Sequence, residues 1–182
     1  MQVIDTEFEG LKIIEPRIWG DDRGYFFEAY TKRDLLTVGI DIDFVQDNEA
    51  MSTRGVLRGL HYQVGDMAQA KLVRVSHGKV LDVAVDIRPQ SETYGQHFSI
   101  LLSAENKKQL LVPHGFAHGY VVLSETAIFQ YKCDNYYDSD SEGGIHHADP
   151  SLGIDWHIDL AEAVVSEKDK NQPSLGSHKP IV

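Results

Sequence analysis

Lys79-Val80-Leu81-Asp82-Val83-Ala84-Val85-Asp86-Ile87-Arg88 decides the fold class. Leu81, Val83, Val85 and Ile87 fall on one face of an extended chain, and Val80, Asp82, Ala84 and Asp86 fall on the other. That alternation predicts a strand. Apolar runs follow at similar spacing: His97 to Ser103, Gln109 to Val112, Tyr120 to Leu123 and Ala127 to Cys133. The polar stretch Ala104 to Lys108 reads as a hairpin loop between the first two. Strands recurring in this way, with turn residues between them, predict an all-β sandwich or barrel. Upstream, Leu11 to Glu15 is a short strand, Trp19 to Gly24 a turn, and Tyr25 to Tyr30 an aromatic strand. Thr31 to Leu36 reads as one short helix with Thr31 as its N-cap and Gly39 near its end. Asp138 to Gly144 is a polar loop, Leu152 to Trp156 resumes the core, and the tail from Ser166 reads as irregular. With no repeat and no linker, residues 1–182 are expected to form a single domain.

Composition narrows the partners. Of 182 residues, 42% are hydrophobic and 25% charged, as in a globular protein. Lys and Arg total 17 against 28 Asp and Glu, a net charge of −11. A nucleic-acid binder carries a basic footprint, so no nucleic-acid polymer is expected. A few local arginines still suffice to hold a small diphosphate. Cys133 is the sole cysteine, which excludes an intrachain disulfide and a cysteine metal cluster. The first residues lack a signal-peptide pattern and no apolar run has membrane-spanning length, so a cytoplasmic location is expected.

Three stretches carry chemistry: Gly55 to Gln63, Ala70 to Val75, and Pro113 to Tyr120. Pro113-His114-Gly115-Phe116-Ala117-His118 fits the second half of the cupin pattern. Its first half needs two histidines one residue apart, and here His61 is followed by Gln63 in the second place. His61 and His118 are one ligand short of a catalytic metal site, so none is expected. His61 reads either as a hydrogen-bonded core histidine or as a base. Arg58 and Lys71 beside it favour the neutral ring that a base needs. Asp169 is the candidate carboxylate to orient it. Lys71 is either a solvated strand end or an ammonium set against an oxyanion. Tyr131 shares a strand face with Phe129 and Cys133; its hydroxyl is either bonded in the core or free in a pocket. Tyr137 reads as a rim aromatic, and Arg23 and Glu28 as charges flanking the aromatic strand.

Asp22 to Glu28, Gln46-Asp47-Asn48, Gly55 to Gln63, Gln69 to Val75, Asp82 to Arg88, Ser103 to Asn106, Pro113 to Tyr120, Tyr131 to Cys133, Gly153 to Trp156 and Ser166 to Asp169 together resemble one family. It is the dTDP-4-dehydrorhamnose 3,5-epimerase family. The resemblance implies an all-β, cupin-type jelly roll with a few short peripheral helices, no metal or other cofactor, and a homodimer. It implies a dTDP-4-keto-6-deoxyhexose substrate, epimerised at C3 and C5 in dTDP-L-rhamnose biosynthesis. A single-centre epimerase is the alternative within the class, and a non-catalytic nucleotide-sugar binder the alternative outside it. By the same resemblance His61 is the base, Asp169 its partner, Lys71 the cation at the enolate oxygen and Tyr131 the proton donor. Arg23, Glu28, Gln46, Asn48, Arg58, His118, Tyr137, Glu142 and Lys168 match substrate-binding positions, with Arg23 and Glu28 supplied across the dimer interface. Glu49-Ala50, Asp66-Met67 and His114 depart from the family's usual residues.

Overall fold

The computed structural model describes residues 1–181; Val182, the end of the expected 1–182 domain, lies outside the described residues. In chain order the strands are β1 (Gln2–Asp5), β2 (Lys12–Glu15), β3 (Trp19–Asp21), β4 (Gly24–Phe26), β5 (Gln46–Thr53), β6 (Val56–Gln63), β7 (Lys71–His77) and β8 (Lys79–Asp86). They continue with β9 (His97–Ser103), β10 (Gln109–Val112), β11 (Phe116–Val122), β12 (Thr126–Cys133), β13 (Glu142–Gly144) and β14 (Val164–Val165). Two short helices accompany them, α1 (Lys32–Thr37) and α2 (Glu167–Lys170).

One sheet has the order β1-β2-β10-β7-β12-β5, the other β13-β6-β11-β8-β9, and β3 pairs with β4 alone. The main cluster of buried side chains draws on both large sheets. Val73, Val75, Leu110 and Phe129 come from the first; Val80, Ala84, Leu102 and Tyr120 come from the second. A second cluster covers the outer face of the second sheet, where Leu81, Val83 and Val85 meet Ile145, Leu152 and Trp156. A third, with Leu35, Ile40 and Leu72, covers the outer face of the first. Strand β8 is therefore buried on both faces from Val80 to Asp86. Each fully buried Val or Leu there contributes about 1.5–3 kcal/mol. Two packed antiparallel sheets exchanging strands in this order form a jelly roll of the cupin type, the expected fold.

Six local expectations are corrected, the first being the polar loop 138–144, whose last three residues form β13 and pair with β6. Strands β9 and β10 do not form a hairpin: β9 pairs with β8, and β10 pairs with β2 and β7 in the other sheet. The loop has genuine turn chemistry, since Asn106 Oδ1 accepts from the amides of Ser103 and Lys108. A tight turn does not say which sheet receives the chain next. The aromatic strand 25–30 is cut back to β4, and the turn before it shrinks to Asp22-Arg23, because β3 pairs Asp21 with Gly24. The strand read as Tyr120 to Leu123 starts earlier, at Phe116. The tail is not irregular throughout: Ser166 Oγ accepts from the Asp169 amide and caps α2.

Candidate active site

Strands β6 and β11 pair His61 with His118, and the register shifts before Tyr120 pairs with Arg58. Gly59 sits at that shift with φ 132, and a Cβ there would lie 2.5 Å from Gly119 Cα. Only glycine fits so close a backbone approach. The shift breaks strict alternation: Arg58 and His61, three positions apart, both line one cavity, while Leu60 between them packs in the outer core.

Val164 and Val165 pair in parallel with Val56 and Leu57, which lays β14 along β6 and brings α2 beneath His61. Asp169, on that helix, is buried. Its Oδ1 lies 2.6 Å from His61 Nε2, and its Oδ2 accepts from the Gly59 amide at 3.3 Å. Burial works to raise the Asp169 pKa. The His61 bond and charge, the Gly59 amide and Ser166 outweigh it, and hold the carboxyl below its usual range.

The opposite wall comes from the first sheet. Lys71, at the head of β7, sits opposite Cys133 of β12, and its Nζ lies 5.9 Å from the centre of the Tyr131 ring. Burial pushes the Lys71 pKa below the ordinary lysine value, with Cys133, Asp82 and Glu142 opposing the shift. Burial pushes the Tyr131 phenol up. The strand-end reading of Lys71 thus gives way to a pocket position, and Tyr131 also faces the cavity.

Two cavities meet at this point. The larger, about 530 Å³, is lined by Arg58, His61, Lys71, His118, Tyr131, Lys168 and Asp169 among others. The smaller, about 340 Å³, shares His61, Lys71 and Tyr131 and adds Gln46, Asn48, Tyr137 and Glu142. Gln46 Nε2 donates to Asn48 Oδ1, and the Tyr137 amide donates to Gln46 Oε1. Glu142 Oε2 accepts from Tyr137 Oη at 3.0 Å and from Lys168 Nζ at 2.5 Å. Burial opposes ionisation of Glu142, but those two donors hold its pKa low.

Arg23 and Glu28 are not brought to either cavity within one chain. The Arg23 side chain is 90% exposed and pairs with Asp21 on the β3–β4 ribbon. Gln63, in the place of a second metal-binding histidine, holds a loop: its amide nitrogen donates to the carbonyls of Met67 and Tyr136, and its oxygen accepts from the Asp138 amide. Among the departures, Ala50 lines the larger cavity, Met67 serves the Gln63 bond, and Glu49 and His114 bond Gln130 and Asp134 respectively.

Sequence reading missed Asp82 and Ser166. Asp82 is fully buried and both its oxygens lie within 3.0 Å of His118 Nε2. The period-2 pattern had already placed it on one face with Val80 and Ala84. Ser166 was visible as Ser-x-x-Asp, the spacing of a helix cap.

Fold and site together define a jelly-roll isomerase of the cupin type, with an imidazole–carboxylate pair facing an ammonium and a phenol. The family model described as dTDP-4-dehydrorhamnose 3,5-epimerase matches residues 5–177. A dTDP-4-dehydrorhamnose 3,5-epimerase of Escherichia coli K12 is 50% identical over 171 residues, spanning 93% of this chain and 92% of its own. The solved structure of a dTDP-6-deoxy-D-glucose-3,5-epimerase from Legionella pneumophila Philadelphia 1, in complex with dTDP-4-keto-L-rhamnose, superposes with a TM-score of 0.91 at 50% identity, covering 97% of this chain and 93% of that one. A 3′-monoepimerase from Streptomyces bikiniensis, in complex with dTDP-quinovose, gives 0.88 at 33% identity, with coverage of 94% and 87%. The chain belongs to the dTDP-4-dehydrorhamnose 3,5-epimerase family.

Proposed function

We propose that this protein converts dTDP-4-dehydro-6-deoxy-D-glucose to dTDP-4-dehydro-L-rhamnose by inverting C3 and C5, as a step toward dTDP-L-rhamnose. The observation that carries the reading is the His61–Asp169 pair at 2.6 Å sharing its cavity with Tyr131 and Lys71. A ketone at C4 makes the neighbouring C–H bonds acidic, because the pair of electrons left behind moves onto O4. With Nε2–H donated to Asp169, His61 has the Nδ1 lone pair free to take the C5 or C3 proton. The Lys71 ammonium stands for the charge growing on O4. Tyr131 then donates its phenolic proton to carbon from the other face. The enolate collapses to the ketone, and solvent restores both groups.

Gln46, Asn48, Tyr137, Glu142 and Lys168 around the smaller cavity fit the nucleotide end, and Arg58 and His118 border the sugar and diphosphate. The protein acts as a homodimer in which Arg23 and Glu28 complete the partner's site. The exposed Trp19, Tyr25 and Phe26 on the β3–β4 ribbon support that arrangement. The acidic balance and the free, buried Cys133 fit a cytoplasmic enzyme; among the described residues no helix is long and apolar enough to cross a membrane.

The test is incubation with dTDP-4-dehydro-6-deoxy-D-glucose in D₂O. Deuterium at both C3 and C5 of an inverted product is expected. Label at one carbon would reassign the protein as a monoepimerase, and binding without exchange would reassign it as a binder.

A further inference from the structure

Tyr120 stands in the wall of the larger cavity and is only 5% exposed. Its ring lies flat on Phe129, with centroids 4.0 Å apart and planes at 14°, so the hydroxyl has one position. That hydroxyl is buried and makes no hydrogen bond of acceptable geometry. Burial raises its pKa, while the Arg58 charge and long or poorly aligned contacts to Ser52 and Arg58 pull it part of the way back. Buried phenols ordinarily find a partner, and one left without is a reason to look for a ligand.

Arg58 is the cross-strand partner of Tyr120. Its Nε donates to Ser52 Oγ at 3.2 Å, which steadies the guanidinium and leaves its two terminal nitrogens for another acceptor. Among the described residues no carboxylate pairs with it. A neutral donor and a cationic one thus stand side by side in the cavity, and neither the phenol nor the terminal guanidinium nitrogens have an acceptor in good hydrogen-bond geometry. One group satisfies both: an anionic oxygen with several lone pairs, as on a phosphate.

We propose that Tyr120 is a substrate-contacting residue whose hydroxyl donates to a phosphate oxygen gripped by Arg58. This deepens, and rests on, the reading of the site as one for a nucleoside-diphosphate sugar. Ser52 is then a positioning residue for the same grip. Strand β11 contributes the phenol and β6 the guanidinium, so the register shift beside Gly119 sets the distance between them.

The test uses the full chain and Tyr120→Phe, which keeps the ring and its stack on Phe129. Calorimetric titration with thymidine diphosphate is expected to show affinity lowered by about ten-fold, the worth of one hydrogen bond to a charged group. NMR titration with thymidine alone is expected to show no change. Equal diphosphate affinity in both proteins overturns the proposal. So does an equal weakening of thymidine, which signals a distorted pocket, or a loss seen only with the complete sugar nucleotide, which moves the hydroxyl onto the sugar. Deuterium exchange by the wild type is read in parallel. A wild type that holds thymidine diphosphate but exchanges nothing sinks the epimerase reading alone; one that does not hold it sinks both.

Discussion

Two histidine–aspartate pairs face the same cavity from neighbouring strands, and they are not equivalent. The His61 side chain is 29% exposed and its partner Asp169 arrives from a helix 108 residues away. The His118 side chain is 7% exposed and its partner Asp82 lies on the next strand. Proton exchange with a ligand needs a ring nitrogen that the ligand can reach. By access alone, the His61 ring is open to a ligand and the His118 ring is largely enclosed. The same side-chain chemistry thus stands in two environments, one accessible and one enclosed, according to the strand that carries it.

The largest expected effect breaks the symmetry outright. His61→Ala is predicted to lower kcat by about 10²–10⁴, the usual worth of a positioned base, with deuterium exchange lost at both carbons. His118→Ala is predicted to reverse the emphasis. It takes the partner from both oxygens of the buried Asp82 and should lower unfolding stability by about 1–3 kcal/mol, the cost of leaving a buried polar group unsatisfied. Urea denaturation of the His118 variant checks it; unfolding at the wild-type midpoint would remove the structural role of the His118–Asp82 contact.

A smaller effect separates base from acid. In Tyr131→Phe, His61 still takes a proton and returns it to the same face. We predict deuterium incorporation into recovered substrate that outlasts product formation by at least about ten-fold. Product formation at the wild-type rate would remove Tyr131 from the mechanism.

Next comes pH. Asp169 has its folded pKa depressed, so its contribution to stability is present above the unfolded value and is lost as pH falls through the folded one. Asp169→Asn should flatten the acid side of the stability curve, measured by urea denaturation across the acid range. Lys71 is also depressed, from an ordinary value of 10.5. It therefore loses its charge early as pH rises, and the alkaline limb of kcat should fall below that of an ordinary lysine. Lys71→Arg, which stays charged, should move that limb upward. An unmoved limb would point to another group.

The smallest effect lies at the rim. Glu142→Gln weakens the bonds to Tyr137 and Lys168, both exposed side chains. A two- to five-fold loss of nucleotide affinity is predicted, about the worth of a surface ion pair.

Much of this was legible before folding. Alternation at 79–88 announced a strand, and the side chains along it depend only on the two-residue period of an extended backbone. Where turn chemistry alone was available, reading failed: the 104–108 loop carries Asn106 bonds that suit a hairpin, yet joins two sheets. The tail failed for a different reason. Four residues of helix are too short to show a period, and only the cap betrays them.

By itself the sequence determined the extended elements, the chemical types present and the resemblance that names the family, because each of these is written in neighbouring residues or in identity. Tertiary structure alone decided which side chains meet. Whether His61 bonds Asp169, whether Arg58 and His61 share a wall despite their odd spacing, and whether Tyr120 is left without a partner all depend on strand register and on distances between residues far apart in the chain.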